Sequence, residues 1–137
     1  MVAALPGPDE HARRVAPERL LRAMRLPVFK IWGHALGRLV LRRDPIACDV
    51  EAVLDGVAGS RAAIEISGDP YRLDLPPAWI PAARKRGIRF LISTDAHSVS
   101  DLDNLAYGVA MARRGDVRRD EVLNTLPVGA FRAAVKP

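Results

Sequence analysis

Aromatic side chains make up only 5% of this 137-residue chain, so its core has to be built mainly from Leu, Val, Ile and Ala. The single cysteine, Cys48, rules out an internal disulfide and points to a reducing, cytoplasmic setting. Cys48 precedes a helix start and reads as a small buried or boundary residue, not a nucleophile. No apolar run approaches the roughly 18 residues of a membrane span, so no membrane partner is expected. Met1 to Pro6 lacks the basic start and long apolar centre of a signal peptide. A Gly-rich phosphate loop, a Cys-x-x-Cys pair and a Ser-centred nucleophile elbow are also missing. The nearest look-alike to a phosphate loop, Gly33 to Arg38, lacks the lysine and hydroxyl residue that motif uses.

What is present is globular: 49% hydrophobic and 27% charged, enough chain for one domain but short for a closed α/β barrel. The formal charge of +5 suits nucleic acid or phosphate without demonstrating either, because a GC-rich genome also favours Arg and Ala.

Residues 1–17 hold Pro6, Gly7, Pro8 and Pro17 and read as a loose leader to one domain over 18–137. A short helix is expected over 18–25, with Leu20, Leu21 and Met24 inward, then a buried strand over 28–33. Asp49 can cap a helix whose Val50, Val53, Leu54 and Val57 fall at i, i+3, i+4 and i+7, and Gly59 can stop it. A second strand covers 62–67. The helix over 76–86 either starts late, near Ile80, or is kinked at Pro81. A third strand covers 88–93. Ser100 is placed to cap a helix with Leu102, Leu105, Ala106 and Val109 inward and Gly115 as its stop, followed by helical pieces near 118–126 and 128–135. The fold class is therefore α/β, about three parallel strands alternating with helices. Three strands cannot close a barrel, which leaves two open sheet edges.

The last of these strands runs into Ser93-Thr94-Asp95-Ala96-His97. Residues i and i+2 of an extended segment share a face, so Asp95 and His97 can converge on one ion. Strand ends are also where parallel α/β folds carry their chemistry. His34 follows the first strand in the same way, and an Asp with two His suits zinc, manganese or iron. The plainer alternative has His34 packed in its loop and Asp95 capping the next helix. Glu65 interrupts an apolar strand. It is either near the chemistry, as a base or ligand, or it faces solvent or pairs with Arg72 or Arg89. Arg38, Arg42, Arg43 and Arg72 lie on loops of the same rim, where they either grip phosphate or form a solvated surface. Arg84, Lys85, Arg86, Arg118 and Arg119 read as solvated faces, and Trp32 and Trp79 as packing residues. Asp101, Asp103 and Asn104 look like helix-start chemistry; a calcium loop would need a glycine and a distal glutamate that are absent.

Several of these segments occur in a telling order: Ile31-Trp32-Gly33-His34-Ala35-Leu36-Gly37-Arg38-Leu39, Glu65 to Asp74, Ser93 to Ser98, Leu102-Asp103-Asn104, and Tyr107 to Gly115. Together, over about residues 18–126, they resemble the carboxy-terminal half of a PHP (polymerase and histidinol phosphatase) domain of the kind fused to bacterial family X DNA polymerases. The resemblance implies part of a distorted seven-stranded (β/α) barrel that hydrolyses phosphoesters and, in the polymerase-associated members, trims DNA 3′ ends or removes 3′ phosphates. It implies His34, Asp95 and His97 as ligands of divalent metal ions, Mn or Zn foremost. It also implies a supporting role for Glu65 next to the ligands, with Arg38 and Arg72 near substrate phosphate. Ala35 stands where the family has proline, and Ser67-Gly68-Asp69 where it has Asn-Ala-Asn. The family's amino-terminal half, with its His-x-His pair, has no counterpart here; upstream there is only His11. The expected function is a truncated PHP-type phosphoesterase acting on DNA or another phosphoester. Its partner would be the missing half or an oligomer mate, and whether the chain turns over substrate without one is left open by the sequence. The alternatives are a non-catalytic basic DNA-binding or interaction remnant, and a piece of an amidohydrolase-like barrel.

Overall fold

The computed structural model describes residues 2–3 and 10–136, with side chains from residue 17 onward. Four parallel strands lie in sequence order: β1 (Val2–Ala3), β2 (Lys30–Trp32), β3 (Ala62–Ser67) and β4 (Arg89–Ser93). The last three are the strands read from the sequence; β1 pairs Val2 with Ile31 and Ala3 with Trp32. Between and after them come α1 (Glu10–Met24), α2 (Val50–Ala58), α3 (Ile80–Lys85), α4 (Leu105–Arg114) and α5 (Val128–Val135). Strand order that never reverses is the pattern of a barrel segment. Among the described residues the sheet has four strands and does not close.

Two departures concern the amino-terminal part. Helix α1 begins at Glu10 and runs through Pro17, so it is longer than the helix expected over 18–25 and starts inside the segment read as a leader. The rest of that leader, residues 4–9, lies outside the described residues.

Strand alternation explains where the core sits. Trp32, Ile64, Ile66 and Phe90 project to one face and are fully buried under the helices with Leu54, Val57, Ile80 and Ala83. Helix α2 forms as its sequence dictates. Asp49 accepts the Ala52 N–H at 3.0 Å, Val50, Val53, Leu54 and Val57 are buried, and Gly59 ends it. Helix α3 starts late, at Ile80, with Pro81 in its first turn, where a missing N–H costs no hydrogen bond. Helix α4 turns a different face inward from the one expected. Gly108, Met111 and Ala112 are buried, while Leu102, Leu105 and Tyr107 stay exposed. The reason is a close approach. A Cβ on Gly68 would lie 2.3 Å from the Asn104 carbonyl oxygen, and one on Gly108 would lie 2.6 Å from Ile92 Cγ2.

The outer edge of β4 is not open as expected. Val122 bridges Phe90 in parallel. The Asn124 side chain accepts the Ile92 N–H at 3.1 Å and donates to the Ile92 carbonyl at 2.8 Å, so one amide satisfies both backbone groups. Arg84, read as solvated, instead clasps Glu121 through Nε at 2.9 Å and Asp116 at 3.1 Å. Arg86 similarly reaches Glu51 and Asp55. Among the described residues no helix is long and apolar enough to cross a membrane.

Candidate active site

The sheet face opposite the helices carries Ala63, then Glu65 and Ser67 on β3, and Leu91 then Ser93 on β4. Arg89 opens β4 on this face, and the carboxyl ends of the two strands present Glu65, Ser67 and Ser93. Immediately beyond those ends, His34 and Asp95 both take up left-handed backbone, at φ 50° and 52°. These conformations are uncommon for residues other than glycine, although His and Asp tolerate them better than most. They aim the two side chains at each other, with His34 Nε2 3.5 Å from Asp95 Oδ2.

Glu65 fixes the histidine from the strand between them. Its carboxylate accepts the His34 backbone N–H at 2.8 Å and the Ser93 hydroxyl at 2.7 Å, tying the ends of β2, β3 and β4 together. It pairs with neither Arg72 nor Arg89. His34 Nδ1 lies 3.3 Å from Glu65 Oε2 but outside hydrogen-bonding geometry, so that buried nitrogen has no partner among the described residues. Arg72 closes the other side, its Nε 3.3 Å from Asp95 and 3.6 Å from Asp69.

Asp74 sits behind the site, wholly buried, and was not singled out from the sequence. Its carboxylate accepts the Leu36 N–H at 2.9 Å and so pins the loop that carries His34. Burial pushes its pKa up to about 6, against the lowering effects of the Leu36 N–H, the Arg38 charge, the Gly37 N–H and His34.

Two of the candidate residues are placed differently from the rest. Arg38, read as a phosphate contact, donates to the carbonyls of Arg72 (Nε, 2.7 Å) and Leu73, stitching the β2 and β3 loops together. His97 is exposed, with Nδ1 2.6 Å from the carbonyl oxygen of Asp95, so its ring rests on its own backbone. Its N–H and that of Ser98 both donate to Asp101, which holds the Asp101 carboxyl below the ordinary carboxylate range. Of the residues expected to show helix-start chemistry only Asp101 makes such bonds; α4 begins at Leu105, Asn104 at its cap makes no side-chain cap bond, and Ser100 does not cap it.

The structure therefore joins His34, Glu65, Asp95 and Arg72, and leaves His97 aside. Among the described residues no three His, Cys, Asp or Glu side chains assemble as a metal site. His34 Nε2 and an Asp95 oxygen, 3.5 Å apart, offer one nitrogen and one carboxylate to a cation, while the unpartnered Nδ1 faces Glu65 on the other side of the ring. A zinc-type ion takes about four donors, so the pair fits part of a site and does not complete one.

No family model matches the chain. It is similar to part of a DNA polymerase/3'-5' exonuclease. That protein, PolX of Bacillus subtilis (strain 168), is 29% identical over 136 residues, 99% of this chain. The chain spans only 24% of PolX's length.

Proposed function

We propose that this chain is part of a metal-dependent phosphoesterase of the PHP type that acts on DNA 3′ ends, with further metal ligands supplied from outside the described residues. The observation that carries the reading is the convergence of His34 and Asp95 from the ends of β2 and β4, with Glu65 of the intervening strand holding the His34 backbone. The resemblance in ordered motifs and the similarity to a DNA polymerase/3'-5' exonuclease support the same substrate class.

Each residue then has a definite task. His34 and Asp95 supply two donors, and Glu65 keeps the histidine in its strained backbone so that its ring faces the carboxylate. Arg72, already beside Asp95, is placed to turn its guanidinium towards a phosphate oxygen. Divalent ions bound there would lower the pKa of a bound water and stabilise the leaving oxygen. Arg38 and Asp74 hold the two loops in register. His97 joins the donor set only if its ring swings off the Asp95 carbonyl.

Manganese titration of the purified full chain, followed by electron paramagnetic resonance, tests the reading directly. Weak binding is expected, reduced about tenfold or more in His34→Ala and Asp95→Ala. The same samples are assayed for manganese-dependent phosphate release from a 3′-phosphorylated oligonucleotide. Binding that is absent, or indifferent to both substitutions, would sink the reading. A second reading, a basic DNA-binding module without turnover, is favoured by the incomplete donor set. Salt-dependent DNA binding with no manganese uptake is its signature.

A further inference from the structure

Beside the His34–Asp95 pair, the same rim presents a rigid tip between β2 and α2. Leu39 donates to the Arg43 carbonyl at 2.9 Å, and the N–H groups of Arg42 and Arg43 both return to the Leu39 carbonyl, at 2.9 and 2.8 Å. Arg43 Nε donates to the Gly37 carbonyl at 2.8 Å, and the Val40 N–H donates to Tyr71 at 2.7 Å. All these bonds hold Leu41 at the apex with φ 60° and its side chain 102% exposed. A left-handed leucine fully in water is unfavourable twice over, in backbone strain and in apolar exposure. The fold gains nothing from it that glycine would not give.

The neighbours of this leucine indicate its partner. Tyr71 is 61% exposed, and the Arg42 guanidinium lies 5.6 Å over its ring. Among the described residues Arg42 makes no ion pair. Tyr71, on the loop after β3, accepts the Val40 N–H of the tip and directly precedes Arg72, whose guanidinium touches Asp95, so the β3 loop links the tip to the candidate active site. An exposed apolar apex and a free cation on one turn, with an exposed aromatic ring of the neighbouring loop beside them, match a nucleobase with its attached phosphate. A purely apolar partner would leave Arg42 without purpose, and a purely anionic one would leave Leu41 without purpose.

We propose that Leu41, Arg42 and Tyr71 form a stacking platform for the unpaired terminal base of single-stranded DNA, guiding its phosphate towards Arg72 and Asp95. This rests on the phosphoesterase reading and deepens it. The base stacks on Tyr71 and against Leu41 once Arg42 swings from the ring to the adjoining phosphate.

The test uses the full chain and a single-stranded oligonucleotide with 2-aminopurine at its 3′ end. Emission should be quenched on binding to the wild type. Tyr71→Ala and Leu41→Gly should each weaken binding at least about fivefold and remove the quenching. Arg132→Ala, which removes an exposed charge on α5, should leave the quenching intact. Leu41→Gly carries a further signature: relief of the strained backbone should raise the melting temperature while DNA affinity falls, which a merely structural leucine would not do.

Wild-type quenching that is absent or survives both substitutions would overturn the platform. So would sedimentation in which Leu41→Gly dissolves a wild-type dimer without altering DNA binding, since the tip would then serve a second copy. Manganese binding measured on the same samples separates the two ideas. Intact manganese uptake with no effect at Leu41 or Tyr71 removes the platform alone, and the converse removes the phosphoesterase reading alone.

Discussion

Asp74 shows how one buried carboxyl couples the site to pH. Its ordinary value is 3.8, and burial in the native state raises it to about 6. Between those values the folded protein holds a proton that the unfolded chain releases. Stability therefore falls as pH rises through that window and is regained on acidification. The difference amounts to about 3 kcal/mol by pH 7. Urea unfolding of the wild type and Asp74→Asn at pH values from about 4 to 7 should show the wild type losing stability relative to the variant as pH rises. Parallel curves would mean that Asp74 is not ionising as described. This residue was hidden in the sequence because nothing local distinguishes a buried Asp from a loop Asp. Its burial depends on the Leu36–Gly37 loop folding over it. Glu65 was visible as a lone carboxylate in an apolar strand, but its partners were not. They lie 31 and 28 residues away, on two different strand ends.

At the scale of elements, α2 was readable because its cap, apolar spacing and stop all agree within one stretch of chain. The inward face of α4 was not. Periodicity favours the large side chains, whereas the contact with β3 is set by the two smallest residues, Gly68 and Gly108. Gly68→Ala should therefore destabilise the chain by about 1–3 kcal/mol, since its new methyl group meets backbone that cannot retreat without moving α4. Gly129→Ala is the control, with nothing within 4 Å of its Cβ position. Equal urea midpoints for the two variants would show that α4 rides loosely on the sheet. The pairing of Arg84 and Arg86 is hidden in the sequence for a related reason. A run of basic residues looks solvated until the acidic partners, 31 to 37 residues distant, are brought alongside.

Across the whole molecule, parallel strands taken in chain order bring successive strand ends to one rim, which is why the meeting of His34 with Asp95 could be anticipated. The sequence could not give the rotation of the His97 ring or the diversion of Arg38 to backbone carbonyls, because both depend on side-chain torsions. The same arrangement makes sheet edges a liability, and the Asn124 amide is the guard on one of them. Asn124→Ala should uncover the Ile92 N–H and carbonyl and promote self-association, seen as faster, concentration-dependent sedimentation. A variant that stays as monodisperse as the wild type would show that Val122 alone blocks the edge.

The left-handed backbone at His34 and Asp95 has a consequence for the chain's evolution. Such conformations cost about 1–3 kcal/mol each, a large fraction of what a domain this size has in reserve. Selection for thermal endurance alone would be drawn to positions 34 and 95 and would favour glycine or asparagine there. The chain would become sturdier by erasing its candidate chemistry. Retention of histidine and aspartate at those two points therefore works as a running record of whether the site is still in use.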